Sequence, residues 1–237
     1  MKKFNIYLSA LLLSFTVASG AQATTLQDLF NGVAGGTITD GGDVFGNFSL
    51  VAAPTIMGAN ITAPDYSKII VSATGTGGLL FAAHSQLQAT GDVNGWSALD
   101  LFFAFSVTGN QINSASLGIT ASGITSTGDS GAWVTEQVGA TLASVSTVGP
   151  IATDASIMSD LAGGIISNPT GTAAFAAQNT VWVSKNILVW SDGSNIASLD
   201  TFTQQFSQVS APEPNELLLL AVGLMGFAAS VKRRKSV

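Results

Sequence analysis

From residue 24 to residue 211 the chain alternates short apolar runs with clusters of Gly, Asp, Asn and Ser. The three-to-four spacing of an amphipathic helix is nearly absent, and period-two alternation dominates. Residues 24–31 are the exception: Thr25 can cap, Asp28 sits three positions on, and Leu26, Leu29 and Phe30 share a helical face. Strands are predicted over residues 44–52, 67–73, 79–83, 99–107 and 112–121, with two short ones within 133–146. In the first, simple alternation places Phe48 and Leu50 on one face and Phe45 and Val51 on the other. Residues 155–161 read as a helical turn. Residues 180–190 and 196–209 close the body as its last pair of strands.

Turn chemistry separates these runs. Asp40-Gly41-Gly42-Asp43, Gly91-Asp92-Val93-Asn94-Gly95, Gly128-Asp129-Ser130-Gly131 and Asp192-Gly193-Ser194-Asn195 all offer residues that accept positive φ or bond their own backbone. The run Leu99 through Phe105 is apolar on both faces for most of its length, as a central strand covered on two sides would be. Gly, Ser, Thr, Ala and Val dominate the composition, which favours strand and tight turn over helix. No fixed-period repeat argues for a propeller or solenoid. The expected fold is all-β, an antiparallel β-sandwich or jelly-roll body.

Both ends depart from this pattern. Met1-Lys2-Lys3 precedes a mostly apolar stretch, residues 6–17, and Ala21-Gln22-Ala23 fits the small-x-small rule. Residues 1–23 therefore read as a signal peptide for signal peptidase, cut after Ala23. At the other end, Pro212-Glu213-Pro214 leads through Asn215-Glu216 into an uncharged apolar run, residues 217–231, followed by Lys232-Arg233-Arg234-Lys235. Fifteen helical residues span roughly 22 Å, short of the roughly 30 Å hydrocarbon core, though a permanent anchor of this length can be accommodated by local thinning or snorkelling. The basic tetrapeptide stays on the cytoplasmic side by the positive-inside rule. This order resembles the PEP-CTERM sorting signal of Gram-negative exported proteins. The resemblance extends to Thr25-Leu26-Gln27-Asp28-Leu29-Phe30, to Gly46-Asn47-Phe48 and to the segment Phe202 through Gln208 that runs toward the Pro-Glu-Pro motif. It implies recognition by an exosortase-like membrane protease, cleavage near residues 212–214, and transient inner-membrane insertion before delivery to the cell surface or outside. It also implies an association with exopolysaccharide or biofilm matrix. No catalytic residue comes with it. The domains expected are thus 1–23, an exported body 24–211, and a sorting signal 212–237.

Charge sharpens the picture. Six of the eight Lys and Arg residues lie in the two terminal segments, leaving Lys68 and Lys185 against twelve carboxylates in the body, a net charge of −10. Such a surface repels the phosphates through which nucleic acid is bound, so no nucleic-acid partner is expected. The absence of cysteine removes disulfides and thiol nucleophiles.

Candidate chemistry is sparse. His84, Asp100 and Ser130 follow the order of a serine-protease triad, which would require His84 to deprotonate Ser130 and Asp100 to orient the imidazole. Only 46 residues separate His84 from Ser130, too few for the strands that present the serine in that architecture. Asp92 with Asn94, or Asp192 with Ser194 and Asn195, could offer oxygens to calcium, but neither set has an EF-hand spacing or the distal bidentate Glu, and an ordinary turn role is the better reading of each. A single histidine excludes histidine-rich metal sites. Trp96, Trp133, Trp182 and Trp190 either pack in the core or form a platform on which sugar rings stack; Trp182 and Trp190 share strand parity. The expectation is a non-enzymatic exported protein without cofactor. A carbohydrate-binding module is the alternative, and a cryptic serine hydrolase a more distant one.

Overall fold

Period-two runs punctuated by glycine turns fold here into an all-β, antiparallel, near-barrel arrangement. A computed structural model describes residues 23–58, 60–91, 95–125, 130–146, 155–162, 165–168 and 170–209. Ala21, the Pro-Glu-Pro motif, the apolar run 217–231 and the basic tetrapeptide lie outside the described residues, while Ala23 opens the first strand. Among the described residues no helix is long and apolar enough to cross a membrane.

The elements begin with β1 (Ala23–Thr25) and the short helix α1 (Leu26–Phe30). As the sequence predicts, Thr25 caps α1: its hydroxyl oxygen accepts from the Asp28 N–H at 3.0 Å and its hydroxyl donates to the Asp28 carboxylate at 2.7 Å. Leu26 and Leu29 enter the core, and the Phe30 ring meets Tyr66 and Phe103 edge-on. The hairpin β2 (Ile38–Asp40) and β3 (Asp43–Leu50) turns at Gly41 and Gly42, whose φ values of 57° and 90° suit glycine. There follow β4 (Thr55–Met57), β5 (Ile70–Ala73), β6 (Gly78–Ala82) and β7 (Gln88–Thr90).

The central element is β8 (Trp96–Thr125), a 30-residue strand where the sequence suggests two. It continues into β9 (Gly131–Gly139), the one-turn helix α2 (Leu142–Val145), β10 (Ala155–Ala162), β11 (Ile165–Asn168), β12 (Thr170–Asp192) and β13 (Ile196–Gln208). Two expectations are corrected. Residues 133–146 give one strand and a helix rather than two strands. The helical turn foreseen at 155–161 is β10, held by eight register partners along β9, so pairing to a formed edge overrides local propensity.

Every described strand pair is antiparallel, and the main path runs β1-β5-β6-β13-β8-β12-β9-β10-β11. The first half of β8, up to Thr108, pairs with the second half of β12 on one edge and with β3 and β4 on the other. Its second half, from Ile112, pairs with β13. Between them Gln111 takes φ 57°, its N–H donates to Asn179 Oδ1 at 3.2 Å, and β12 slips register between Gln178 and Thr180. A bulge of this kind bends a strand and increases its twist, which lets one sheet fold back on itself.

The two halves of that sheet meet through phenylalanine rings. Phe81 of β6 touches Phe103 of β8 at 5.8 Å and Phe45 of β3 reaches Phe206 of β13 at 5.9 Å, while Phe81 also stacks at 4.5 Å on Phe202, its own cross-strand partner on β13. Each buried ring contributes about 1.5–3 kcal/mol from removed apolar surface, and a ring pair about 0.5–1.5 kcal/mol more.

The face assignment in β3 needs correction. Phe45 and Phe48 are both buried, while Leu50 is exposed. Asn47 sits at φ 55°, the pairing with β8 slips between Gly46 and Ser49, and Asn47 Nδ2 donates to Ser106 Oγ at 2.8 Å. The left-handed residue inserts one extra position, so two rings three apart face the same interior.

Candidate functional site

The outer face of the sheet, where β4, β8, β12 and β9 lie side by side, carries an apolar aromatic patch. Alternation builds it. On β12, Ile187 and Val189 point into the core, so Leu188 and Trp190 point out; on β9, Ala132 and Val134 are buried and Trp133 points out. Leu99 and Leu101 of β8 face inward, leaving Trp96, Ala98 and Asp100 on the outer side. The ladders then align these positions in rows. Trp133 is opposite Leu188 and Leu188 is opposite Asp100; Trp190 is opposite Ala98. Met57 of β4, also exposed, pairs with Ala98 on the far edge of β8.

The result is a shallow groove of about 210 Å³ lined by Trp96, Trp133, Leu188 and Trp190. Trp133 and Trp190 meet edge to face with centroids 5.7 Å apart. Trp96 is 46% exposed and Trp133 36%, a large outlay of indole surface to leave in water. At the groove's edge lies Asp100. Its Oδ1 is buried without a hydrogen-bond partner. Burial pushes the Asp100 carboxyl up, and a hydrogen bond from the Asn186 side chain only partly offsets this.

The structure divides the tryptophans named from sequence. Trp96, Trp133 and Trp190 come together. Trp182 shares the outer face of β12 but sits eight residues from Trp190, opposite Gly139 and Ser106, and lines no part of the groove.

The triad candidates do not assemble. Ser130 is not an exposed turn residue: it is fully buried, its hydroxyl meets Ser191 Oγ at 3.1 Å, and it accepts from the Asp192 N–H at 3.3 Å. His84 is exposed at the turn between β6 and β7, with φ 45°, and Asp100 bonds to Asn186. In the calcium candidates, Asp192 Oδ1 accepts from the Gly193 N–H at 2.8 Å and Asn195 Nδ2 donates to the Asp192 carbonyl at 2.6 Å, which is the chemistry of a closed turn. Asp92 and Asn94 lie outside the described residues. No group of three or more His, Asp or Glu side chains fit to hold a metal occurs among the described residues.

One constellation escaped the sequence reading. Glu136 of β9, Lys185 of β12 and Gln204 of β13 are all fully buried and bonded to one another. The sequence does hold a signal for it. Each occupies an inward position in an alternating strand: Glu136 between Val134 and Val138, Lys185 between Val183 and Ile187, Gln204 between Phe202 and Phe206.

No family model matches the chain, and no curated protein matches it. Among solved structures it aligns with the enzymatically active domain of bacteriophage CBA120 tailspike protein 4, at 9% sequence identity and a TM-score of 0.26, over 70% of this chain and 20% of that one. That finding stands against the expectation of a non-enzymatic exopolysaccharide-associated matrix protein, which is not carried further. A TM-score of 0.26 carries no argument for a particular activity, so what this chain does is argued from its own residues.

Proposed function

We propose that the body is a carbohydrate-binding β domain of sandwich or jelly-roll type, with Trp96, Trp133 and Trp190 as its stacking platform. The observation that carries this reading is the convergence of three indoles on one open groove. Sugar rings present apolar C–H faces and polar edges, and an indole matches the first while its N–H reaches the second. The Asn186 side chain, on the same outer face of β12, stands at the edge of this surface, where hydroxyl groups of a stacked sugar need partners. The body's negative charge favours neutral over acidic glycans. A glycan array followed by titration calorimetry tests this. Trp133→Ala and Trp96→Ala should each weaken binding of the best neutral glycan about tenfold, roughly 1.4 kcal/mol, while Trp182→Ala leaves it unchanged. An array with no neutral ligand, or a Trp133→Ala variant that binds as tightly as the parent, would refute the platform.

For the termini we propose export through the signal peptide, cleavage at Ala23, and sorting by an exosortase-like protease acting near Pro212, Glu213 and Pro214. Support comes from the order of the Pro-Glu-Pro motif, apolar run and basic tail.

A further inference from the structure

Independently of any glycan ligand, the interior holds the reactants for a covalent bond. Lys185 Nζ contacts Glu136 Oε2 and the Gln204 carboxamide oxygen, and Gln204 Nε2 donates to Glu136 Oε1 at 3.1 Å. A single carboxyl group therefore faces two nitrogens, the amine through one oxygen and the carboxamide nitrogen through the other. All three side chains are fully buried, and the Phe202 ring lies 6.0 Å from Nζ. Lys185 and Glu136 are cross-strand partners in one half of the folded sheet. Gln204 belongs to β13 in the other half, paired with Leu79 and Leu117. The three meet across the core.

We propose that this is an autocatalytic cross-linking site, in which Lys185 Nζ and Gln204 Cδ form an intramolecular amide bond with Glu136 as the proton shuttle. The step balances. Nζ attacks Cδ and gives one proton to Glu136 Oε2; the proton on Glu136 Oε1 passes to Nε2; the Cδ–Nε2 bond breaks and ammonia leaves. Glu136 ends protonated, as it began, and no oxidant or co-reactant is consumed. The surroundings favour the reactive protonation states. Burial pushes the Lys185 ammonium toward the free amine and the Glu136 carboxylate toward the acid, each opposed by the charge of the other. A neutral amine is the nucleophile required. A neutral carboxyl can take a proton from the amine through one oxygen and, once attack on Cδ has ended the amide conjugation of Nε2, deliver its own to that nitrogen through the other. Water, the competitor that would hydrolyse the carboxamide, is kept out by Phe202 and the surrounding core. The product ties β12 to β13 across the interior and so pins one half of the sheet to the other.

Peptide mapping of the full-length protein decides the matter. Lys68 and Lys185 are the only lysines between Lys3 and Lys232, with no arginine among them. In the linked protein trypsin should fail to cut at Lys185, and the peptide between Lys68 and Lys232 should be about 17 Da lighter, one ammonia. Chymotryptic cuts between Lys185 and Gln204 should leave two pieces still joined. Lys185→Arg and Glu136→Gln should restore the unlinked mass; a mass loss that survives Lys185→Arg would place the ammonia loss elsewhere and overturn the proposal. Should either variant fail to fold, the wild-type map is sufficient. Complete cleavage at Lys185, with an unmodified Gln204, sinks the inference outright.

Discussion

Asp40 is the clearest test of what holds the β2–β3 hairpin against the rest of the sheet. Its carboxylate accepts from the backbone N–H groups of Gly75 at 3.0 Å, Thr76 at 3.1 Å, Gly77 at 2.9 Å and Gly78 at 2.8 Å, and from the Thr74 hydroxyl at 3.0 Å. One side chain thus closes the turn between β5 and β6. In Asp40→Ala the bonds from Gly77 and Gly78, both buried, have no replacement, whereas Thr74, Gly75 and Thr76 are placed to regain water. Each orphaned buried donor costs about 1–3 kcal/mol, for a loss of about 2–6 kcal/mol. That is a large share of the roughly 5–15 kcal/mol typical of a folded domain. The loss should also depend on pH. Burial raises the Asp40 pKa, but donation from Gly78, Thr74, Gly77 and Gly75 outweighs it and holds the carboxyl below its ordinary value. The native state then binds the proton less readily than the unfolded chain. Its stabilisation is complete above the unfolded carboxylate pKa and disappears as pH falls through the lowered native one. Urea unfolding of wild type and Asp40→Ala at pH 7 and through the range of about pH 4 to pH 2 measures both effects. A difference under about 1 kcal/mol at pH 7, or one that persists unchanged into acid, would refute this account.

Asp43 should behave in the opposite sense. Burial pushes its carboxyl up, Gln208 Nε2 at 2.6 Å works against this, and the Asp40 charge adds to the rise. A raised native pKa lowers stability as pH climbs through it, so Asp43→Asn, which keeps an acceptor for Gln208, should leave stability at pH 7 unchanged or about 1 kcal/mol higher in the same urea assay. At Gly41 a Cβ would come within 2.7 Å of the Gly77 nitrogen at a φ of 57°; Gly41→Ala should cost about 1–3 kcal/mol, more than Gly42→Ala, whose Cβ meets nothing within 4 Å. Replacing Pro212, Glu213 and Pro214 together by alanine should block removal of the tail, read by mass spectrometry of the C-terminus and membrane fractionation in the native host. A wild-type protein that keeps Val237 in the inner membrane would show an anchor instead of a sorting signal.

Much of this architecture is legible in the chain. Period-two alternation, the Asp40-Gly41-Gly42-Asp43 hairpin, the Thr25 cap and the closing strands at 180–190 and 196–209 all depend on local chemistry, and all appear. The aromatic platform is legible in part. Parity puts Trp190 on an outer face, but nothing local says that Trp133 and Trp96 stand on neighbouring strands. Trp182, equally plausible in sequence, falls elsewhere because register, not composition, decides who is adjacent.

The chain alone determines which residues prefer strands, where the turns fall, and that positive charge is concentrated in the two ends while the body is acidic, because these follow from backbone sterics, side-chain alternation and formal charge. Tertiary structure decides what depends on partners far away in sequence. It makes residues 155–162 a strand by offering the edge of β9, and it turns Phe45 and Phe48 to one side through the Asn47 bulge against Ser106. It buries Ser130 on Ser191, and it draws Glu136, Lys185 and Gln204 from three strands to one point. Each of these outcomes is set by a long-range pairing whose free energy exceeds the local preference it overrides, and no window of neighbouring residues contains that pairing.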